Sequence, residues 1–429
     1  MTHVGKNIKR IRMAKKMTIS DVANEHVSRG MISLIENGKT QPSIERLQYI
    51  AEQLAVDISE LVEEIPKAEI RNVLNKVFEL LNNHRKESII EAVKLMQPIL
   101  EKNPVGYEAA RLYETYAKCL YSLYIKEVDT YDENDWDAFI QKAIELYEEL
   151  QMEWQVVMCY EFLAMIEFDQ ANYHETIRII DQALEQLTVM DSYNTKVMYI
   201  RLNFIKAYTY FALGEFEKSH VQLDQVIEFS REQLVLQDFY MLLNTKAWLY
   251  YGEKKIDLAR EYVAECQQYV QLVKNQNLIL EHGLTRVFLE EFFEKDYEKA
   301  LDLAESFQKG ISESCVLSEE VQRSYLSFSR NLQARVLTKL GKYKEALLLF
   351  KENPIVLNDR IKLNPSDLAT RILANSYEAL CHHHLGNQEE ADRLARMTVA
   401  SLHNNPHSAF YHFAREVLSE VVSENNAKR

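Results

Sequence analysis

Apolar residues recur every three to four positions almost from the start of the chain, and that period predicts helix with few interruptions. Ile8 and Ile11 mark the inner face of a first helix from about Val4 to Lys16, with Lys6, Lys9, Arg10, Lys15 and Lys16 mostly outward. Thr18 and Asp21 have the spacing of a capping box and open a short helix that buries Val22 and Ala23. Ser28 caps a third helix, Arg29 to Glu36, with Ile32 and Ile35 inward, and Asn37-Gly38 ends it. Pro42-Ser43 starts a fourth helix, which buries Ile44, Leu47, Ile50, Ala51 and Leu54, and Asp57 with Glu60 opens a fifth. Five short helices, the second and third joined by a tight turn, predict a helix-turn-helix domain over residues 1–64.

After Glu63-Glu64-Ile65-Pro66, read as a linker, the apolar pattern becomes a repeat. Small residues at Thr176, Ser219, Ala259, Ala300, Ala346 and Ala391 recur every 40 to 46 positions. Twelve residues before each stands Ala164, Ala207, Ala247, Phe288, Ala334 or Ala379, and three before stands Tyr173, Phe216, Ile256, Tyr297, Tyr343 or Gln388. Leu-Gly pairs at 213–214, 340–341 and 385–386 mark three of the six turns. These offsets form a tetratricopeptide pattern, antiparallel helix pairs packed closely where small residues meet. The expected architecture is all-α: a five-helix helix-turn-helix domain, then a right-handed tetratricopeptide-repeat superhelix over residues 65–429. About eight hairpins are expected, with Arg111 to Lys126 and Asp135 to Leu150 forming an early one and a helix from His407 to Glu424 closing the array.

The inner face of such an array is lined by positions 18, 15, 11 and 8 before each anchor. The candidates for ligand contact there are Arg201, Phe204 and Tyr208, then Asn244, Trp248 and Tyr251, then His282, then Phe328, Asn331 and Arg335. Aromatics mixed with amides suit an extended peptide, because an Asn side chain pairs with a peptide N–H and C=O together; Arg201 or Arg335 would hold a carboxylate. Asn244 and Asn331 fall at the same offset, while Asn203 and Asn375 lie one residue off it.

Charge changes the picture at the head. The chain carries −15 overall, which argues against a nucleic-acid partner, yet residues 1–50 hold nine Lys/Arg against four Asp/Glu. A basic head on an acidic body points to DNA binding through one module. Only 10 Gly and 7 Pro occur in 429 residues, and none of the prolines lies between Pro104 and Pro354, which reinforces helix. The five cysteines include no closely spaced pair, the N-terminus has no signal-like apolar core, and no run approaches about 18 apolar residues. A cytoplasmic protein without membrane contact is expected. His382-His383-His384 is no metal site, since neighbouring helical residues point about 100° apart. No nucleotide-binding glycine loop or nucleophile and base pattern is present, so neither cofactor nor enzymatic activity is expected.

Gly5, Ile8 and Arg12, the run from Thr18 to Ala23, the run Val27-Ser-Arg-Gly-Met-Ile-Ser-Leu-Ile-Glu-Asn-Gly-Lys39 and Pro42-Ser43 together resemble the phage-repressor-like (Cro or XRE type) helix-turn-helix family. The resemblance implies an Arg12–Glu36 ion pair and a third helix in the major groove. Arg29 would contact guanine through both of its terminal nitrogens, Ser33 a base or phosphate, and Lys39 a phosphate. Thr18, Ser28 and Gly30 complete the expected DNA face. Ile19, Gly30 and Leu34 depart from the residues common at those positions. Such a head before about eight long tetratricopeptide hairpins resembles the peptide-pheromone-responsive regulators of Gram-positive bacteria grouped as RRNPP, in layout most like the NprR branch. That implies a homodimer or higher oligomer that binds a DNA operator and a short signalling peptide. The rival implied by the same group is a Rap-like phosphorelay modulator that binds a response regulator and promotes its dephosphorylation. A generic protein-binding adaptor is a third reading, and it leaves the basic head unexplained.

Overall fold

Helix α1 (His3–Ala14) and helix α3 (Arg29–Glu36) approach closely because Gly5 presents no side chain: a Cβ there would lie 2.0 Å from the Ile35 carbonyl oxygen. Between them, α2 (Ile19–Val22) starts on the capping box of Thr18 and Asp21. It stops early because the Asn24 side chain accepts from the backbone N–H of His26 and Val27, at 2.9 and 2.8 Å, and turns the chain. Ser28 caps α3 through the Met31 N–H, and Ser43 caps α4 (Ile44–Leu54) through that of Arg46. Helix α5 (Ile58–Val62) completes the set. Ile8, Ile11, Val22, Ile32, Ile35, Leu47, Ile50, Leu54 and Leu61 form one core. Ile44 belongs to the solvent side instead, 72% exposed at the first turn of α4. Arg12 donates to both carboxylate oxygens of Glu36, at 2.7 and 2.9 Å, and to the Met17 carbonyl at 2.8 Å, bracing the turn before α2.

This computed structural model describes residues 3–62, 66–82, 85–128, 135–187, 190–312, 319–355, 357–403 and 408–427. Residues 63–65 of the expected linker, Cys315 and His407 lie outside them. The described residues are helical with no strand, and the chain divides into two compact units, 1–159 and 160–429. In the first unit the head is followed by α6 (Lys67–Leu81), α7 (Lys86–Leu100), α8 (Tyr107–Ile125) and α9 (Asp137–Glu149). Trp136, beside α9, packs edge-on to Tyr121 at 4.9 Å, and Tyr147 donates to Glu114 across the α8–α9 pair at 2.8 Å.

Helix α10 (Glu153–Asp169) leads into the second unit, whose elements are α11 (Tyr173–Gln186), α12 (Tyr193–Ala212), α13 (Phe216–Glu232), α14 (Phe239–Gly252), α15 (Ile256–Val273), α16 (Gln276–Leu289), α17 (Tyr297–Ser312), α18 (Glu319–Lys339), α19 (Tyr343–Glu352), α20 (Pro365–Ile372), α21 (Ala374–His384), α22 (Gln388–Ser401) and α23 (Ala409–Ala427). A π-helical turn, Glu290–Glu294, extends α16. Helices α10 to α19 and α21 to α22 pair as hairpins, and all twelve residues of the small-residue pattern, Phe288 included, are at most 3% exposed. In the α12–α13 pair the Ser219 hydroxyl donates to the Ala207 carbonyl at 2.8 Å, so the repeat offset is a physical contact. Each of these six turns holds a left-handed residue five positions before its anchor: Ala171, Gly214, Lys254, Lys295, Gly341 and Gly386, with φ between 57° and 84°. Glycine is the relaxed occupant there, which explains why Leu-Gly marked only half the turns.

Candidate functional site: a DNA-reading face and an aromatic cavity

Helix α3 presents Ser28, Arg29, Gly30 and Leu34 to solvent, Ser33 is half-buried, and Lys39 is exposed just beyond the helix. The side chains of Arg29 and Lys39 make no hydrogen bond or ion pair with any described residue. A Cβ at Gly30 would meet nothing within 4 Å, so the bare backbone there is not required by packing. Thr18 and Ser28 both serve as helix caps, and Thr18 also donates to Asp21 at 2.8 Å. Their hydroxyls face outward while being held by the fold. Leu34, 43% exposed, adds apolar surface to this face.

In the second unit, α10, α12, α14, α16, α18 and α20 enclose a cavity of about 540 Å³. Five of the ten inner-face candidates line it: Phe204, Tyr208, Asn244, Trp248 and Phe328. Other residues at the predicted groove offsets, Met165, Phe168, Phe211, Met241 and Thr285, join them. The Asn244 side chain has no hydrogen-bond partner among the described residues, so both ends of its amide are open to a ligand backbone. Tyr208 stacks with Phe168 at 5.5 Å and with Phe204 at 6.0 Å, and Trp248 tilts against Phe288 at 5.0 Å.

The other five candidates are placed elsewhere. Arg201 donates to Asp238 at 2.8 Å and lies 3.7 Å from Glu161; burial works against its charge, but these two carboxylates hold its pKa above the ordinary value. Tyr251 is buried, stacked on Phe293 and donating to Glu294 at 2.9 Å. His282 is buried against Gln267 at 3.0 Å, and burial, helped by Arg286, lowers its pKa to about 4. Asn331 reaches the Asn353 carbonyl at 3.5 Å beside a separate depression that Asn375 also lines. Arg335 is fully buried, paired with Glu291 and sandwiched between Phe288 at 4.7 Å and Tyr377 at 4.8 Å. Tyr377 also donates to Glu291, and burial with that carboxylate pushes its phenol far above the ordinary range. Asn203 is likewise engaged, with the Tyr199 carbonyl and Gln222.

Offset arithmetic did not reach the wall contributed by Ser366, Asp367 and Thr370 on α20, nor Glu281 on α16. The segment before α20 crosses back to α10: the Lys362 N–H donates to the Asp169 carbonyl at 2.7 Å, and the Gln170 side chain donates to the Arg360 carbonyl at 3.2 Å. Asn364 caps α20 and donates to Asp367 at 2.6 Å and to the Tyr208 hydroxyl at 3.3 Å, while Tyr208 donates to Asp367 at 3.1 Å. Burial raises the Asp367 carboxyl above its usual range against the pull of these donors, and burial raises Glu281 as well. The signal available in the sequence was the interval from Pro354 to the Asn364-Pro365 helix start, which breaks the hairpin rhythm.

Residues 8–61 match the helix-turn-helix family model. Among curated proteins, none matches this chain in sequence. Among solved structures, the chain is similar to Bacillus thuringiensis PlcR in complex with the peptide PapR7 and DNA, at 16% identity and a TM-score of 0.34, over 64% of this chain and 96% of that one. It is similar to the Streptococcus dysgalactiae SHP pheromone receptor Rgg2 at 15% identity and a TM-score of 0.33, over 65% and 98% of the two chains. It is also similar to a Rap protein complexed with Competence and Sporulation Factor, at 14% identity and a TM-score of 0.47, over 84% and 100%. By family match and by geometry alike, the head of this chain is a helix-turn-helix domain.

Proposed function

We propose that the chain is a DNA-binding transcription regulator controlled by a short peptide held in the cavity of its helical-repeat region. In this reading residues 1–64 bind the operator and residues 65–429 sense the peptide and join protomers into a homodimer or higher oligomer. The observation that carries it is the pairing, in one chain, of a basic helix-turn-helix head with an aromatic cavity in which Asn244 keeps an unengaged amide. Arg29 contacts guanine and Lys39 a phosphate, Ser33 reaches a base or phosphate, and the outward hydroxyls of Thr18 and Ser28 approach the DNA backbone. Gly30 lets that backbone come close, and Leu34 offers an apolar contact to a thymine methyl group. Phe204, Tyr208, Trp248 and Phe328 take the peptide's apolar side chains. Arg201, Tyr251, His282, Asn331 and Arg335 act behind this surface by fixing helix positions, each being engaged within the fold as described.

The test is gel-shift titration of the full chain on operator fragments selected from random duplexes, with and without short peptides encoded beside its gene. Arg29→Ala is expected to weaken the selected duplex by about 1–3 kcal/mol and to relax preference at one base pair. Asn244→Ala is expected to abolish any peptide effect while leaving peptide-free DNA binding unchanged. An Asn244→Ala chain that still responds fully to peptide would remove the cavity from this account.

A further inference from the structure

The cavity is charged on one side of the scale only. Three carboxylates reach its lining, Asp169, Glu281 and Asp367, and no described lysine, arginine or histidine does. Three arginines on the helices around it are committed: Arg201 to Asp238 and Glu161, Arg335 to Glu291, Arg286 to Glu290. Arg371 acts on Asp367 through space without lining the cavity. Asp367 is satisfied by Tyr208 and Asn364, but the Glu281 side chain makes no hydrogen bond or ion pair with any described residue. A carboxylate taken from water without a donor is costly, and a cation would offset that cost. The rest of the wall is aromatic, with Trp248, Phe288 and Phe328 among its rings, and ring faces attract cations as well as apolar groups. A ligand carboxylate would add a negative charge to a cavity that offers none to balance it.

We infer that the cavity selects an apolar peptide bearing a positive charge, an N-terminal ammonium or a Lys or Arg side chain, which pairs with Glu281 beside the aromatic wall. This rests on the peptide reading above for the ligand's backbone, while the charge preference stands on the cavity itself. It replaces the idea of an arginine clamp on a ligand carboxylate, because Arg201 and Arg335 are engaged elsewhere.

The experiment is displacement of N-phenyl-1-naphthylamine, a neutral fluorescent probe for apolar cavities, from the full-length chain by heptapeptide pools randomised over uncharged residues. One pool has a free N-terminus, one is acetylated with a single lysine, one is acetylated and uncharged, and one is acetylated with a single aspartate. One or both cationic pools are expected to displace the probe at about tenfold lower concentration than the uncharged pool, with the aspartate pool weakest. Which cationic pool wins identifies the terminal ammonium or the side chain as the source of the charge. In Glu281→Gln and in the Glu281→Gln, Asp367→Asn double variant this gap closes to less than about threefold, while probe affinity stays within about twofold and shows the cavity intact. Uncharged or acidic pools that bind as well as the cationic ones overturn the inference and leave the peptide reading standing. If no pool binds, benzyltrimethylammonium against its neutral isostere neopentylbenzene decides. A cation preference lost in Glu281→Gln then supports the charge assignment and discards the peptide, and no preference discards both.

Discussion

Gly5 and Gly30 sit on the same small domain and answer to different constraints. A methyl group at Gly5 would enter the Ile35 carbonyl, backbone against backbone, and nothing flexible can yield. Gly5→Ala is therefore expected to cost about 1–3 kcal/mol or more through overpacking, read as early loss of head amide protection in hydrogen exchange together with loss of DNA binding. Gly30→Ala meets open space and gains helix propensity, so it should leave protection unchanged or slightly raised. Any loss of operator affinity in that variant belongs to the DNA face. His282 is a second residue with a direct test. Its folded pKa of about 4 lies below the ordinary 6.5, so between these values the unfolded chain binds a proton that the native site refuses. Stability should fall as pH drops from about 6.5 towards 4, by up to about 3 kcal/mol from this residue. Denaturant midpoints of wild type and His282→Gln across that range should converge towards the acid end. Parallel curves would mean that His282 takes up its proton in the folded state.

Among elements, the hairpin turns share one geometry with unequal occupants. Lys254 and Lys295 hold left-handed backbone where Gly214, Gly341 and Gly386 hold it without a Cβ. The conformation costs a non-glycine residue about 1–2 kcal/mol, and glycine returns part of that by loosening the unfolded chain. Lys254→Gly and Lys295→Gly should each stabilise the second unit by about 0.5 kcal/mol, and Gly341→Ala should destabilise it by about 1 kcal/mol, in thermal melts of the full chain. The strand of chain before α20 is a less regular element, fastened by the mutual hydrogen bonds of Tyr208, Asn364 and Asp367. Tyr208→Phe leaves the ring stack and removes one donor, so exchange at residues 357–367 should rise by about tenfold while the hairpins stay protected.

These same elements show what pattern reading could reach. The small-residue offsets were legible because they fall inside single hairpins, as where Ser219 meets Ala207, and there the spacing along the chain sets the spacing in space. Asn244 and Trp248 followed from the same period. Arg335 and Tyr251 had the right offset and a different fate, because their partners Glu291 and Glu294 sit on a π turn that advances the helix by an extra residue and aims carboxylates inward. Asp367 belongs to a segment outside the repeat, brought to Tyr208 by contacts between positions 159 residues apart. No local period encodes such a contact.

For the whole molecule, charge separation and linkage set the remaining expectations. A head with nine basic residues on a chain of net −15 should bind DNA with a steep salt dependence, and each phosphate contact removed lowers the double-logarithmic slope by about 0.9. Lys39→Ala should show that decrement on every duplex, whereas Arg29→Ala should combine it with altered sequence preference. If a peptide in the cavity changes operator affinity by some factor, operator DNA must change peptide affinity by the same factor, whatever path joins the sites. Titrating a displacing peptide into the full chain with saturating operator and with none tests this directly. Equal factors in both directions establish one coupled equilibrium. Peptide affinity that ignores operator, beside operator affinity that responds to peptide, would show that the effect on DNA arises outside the cavity.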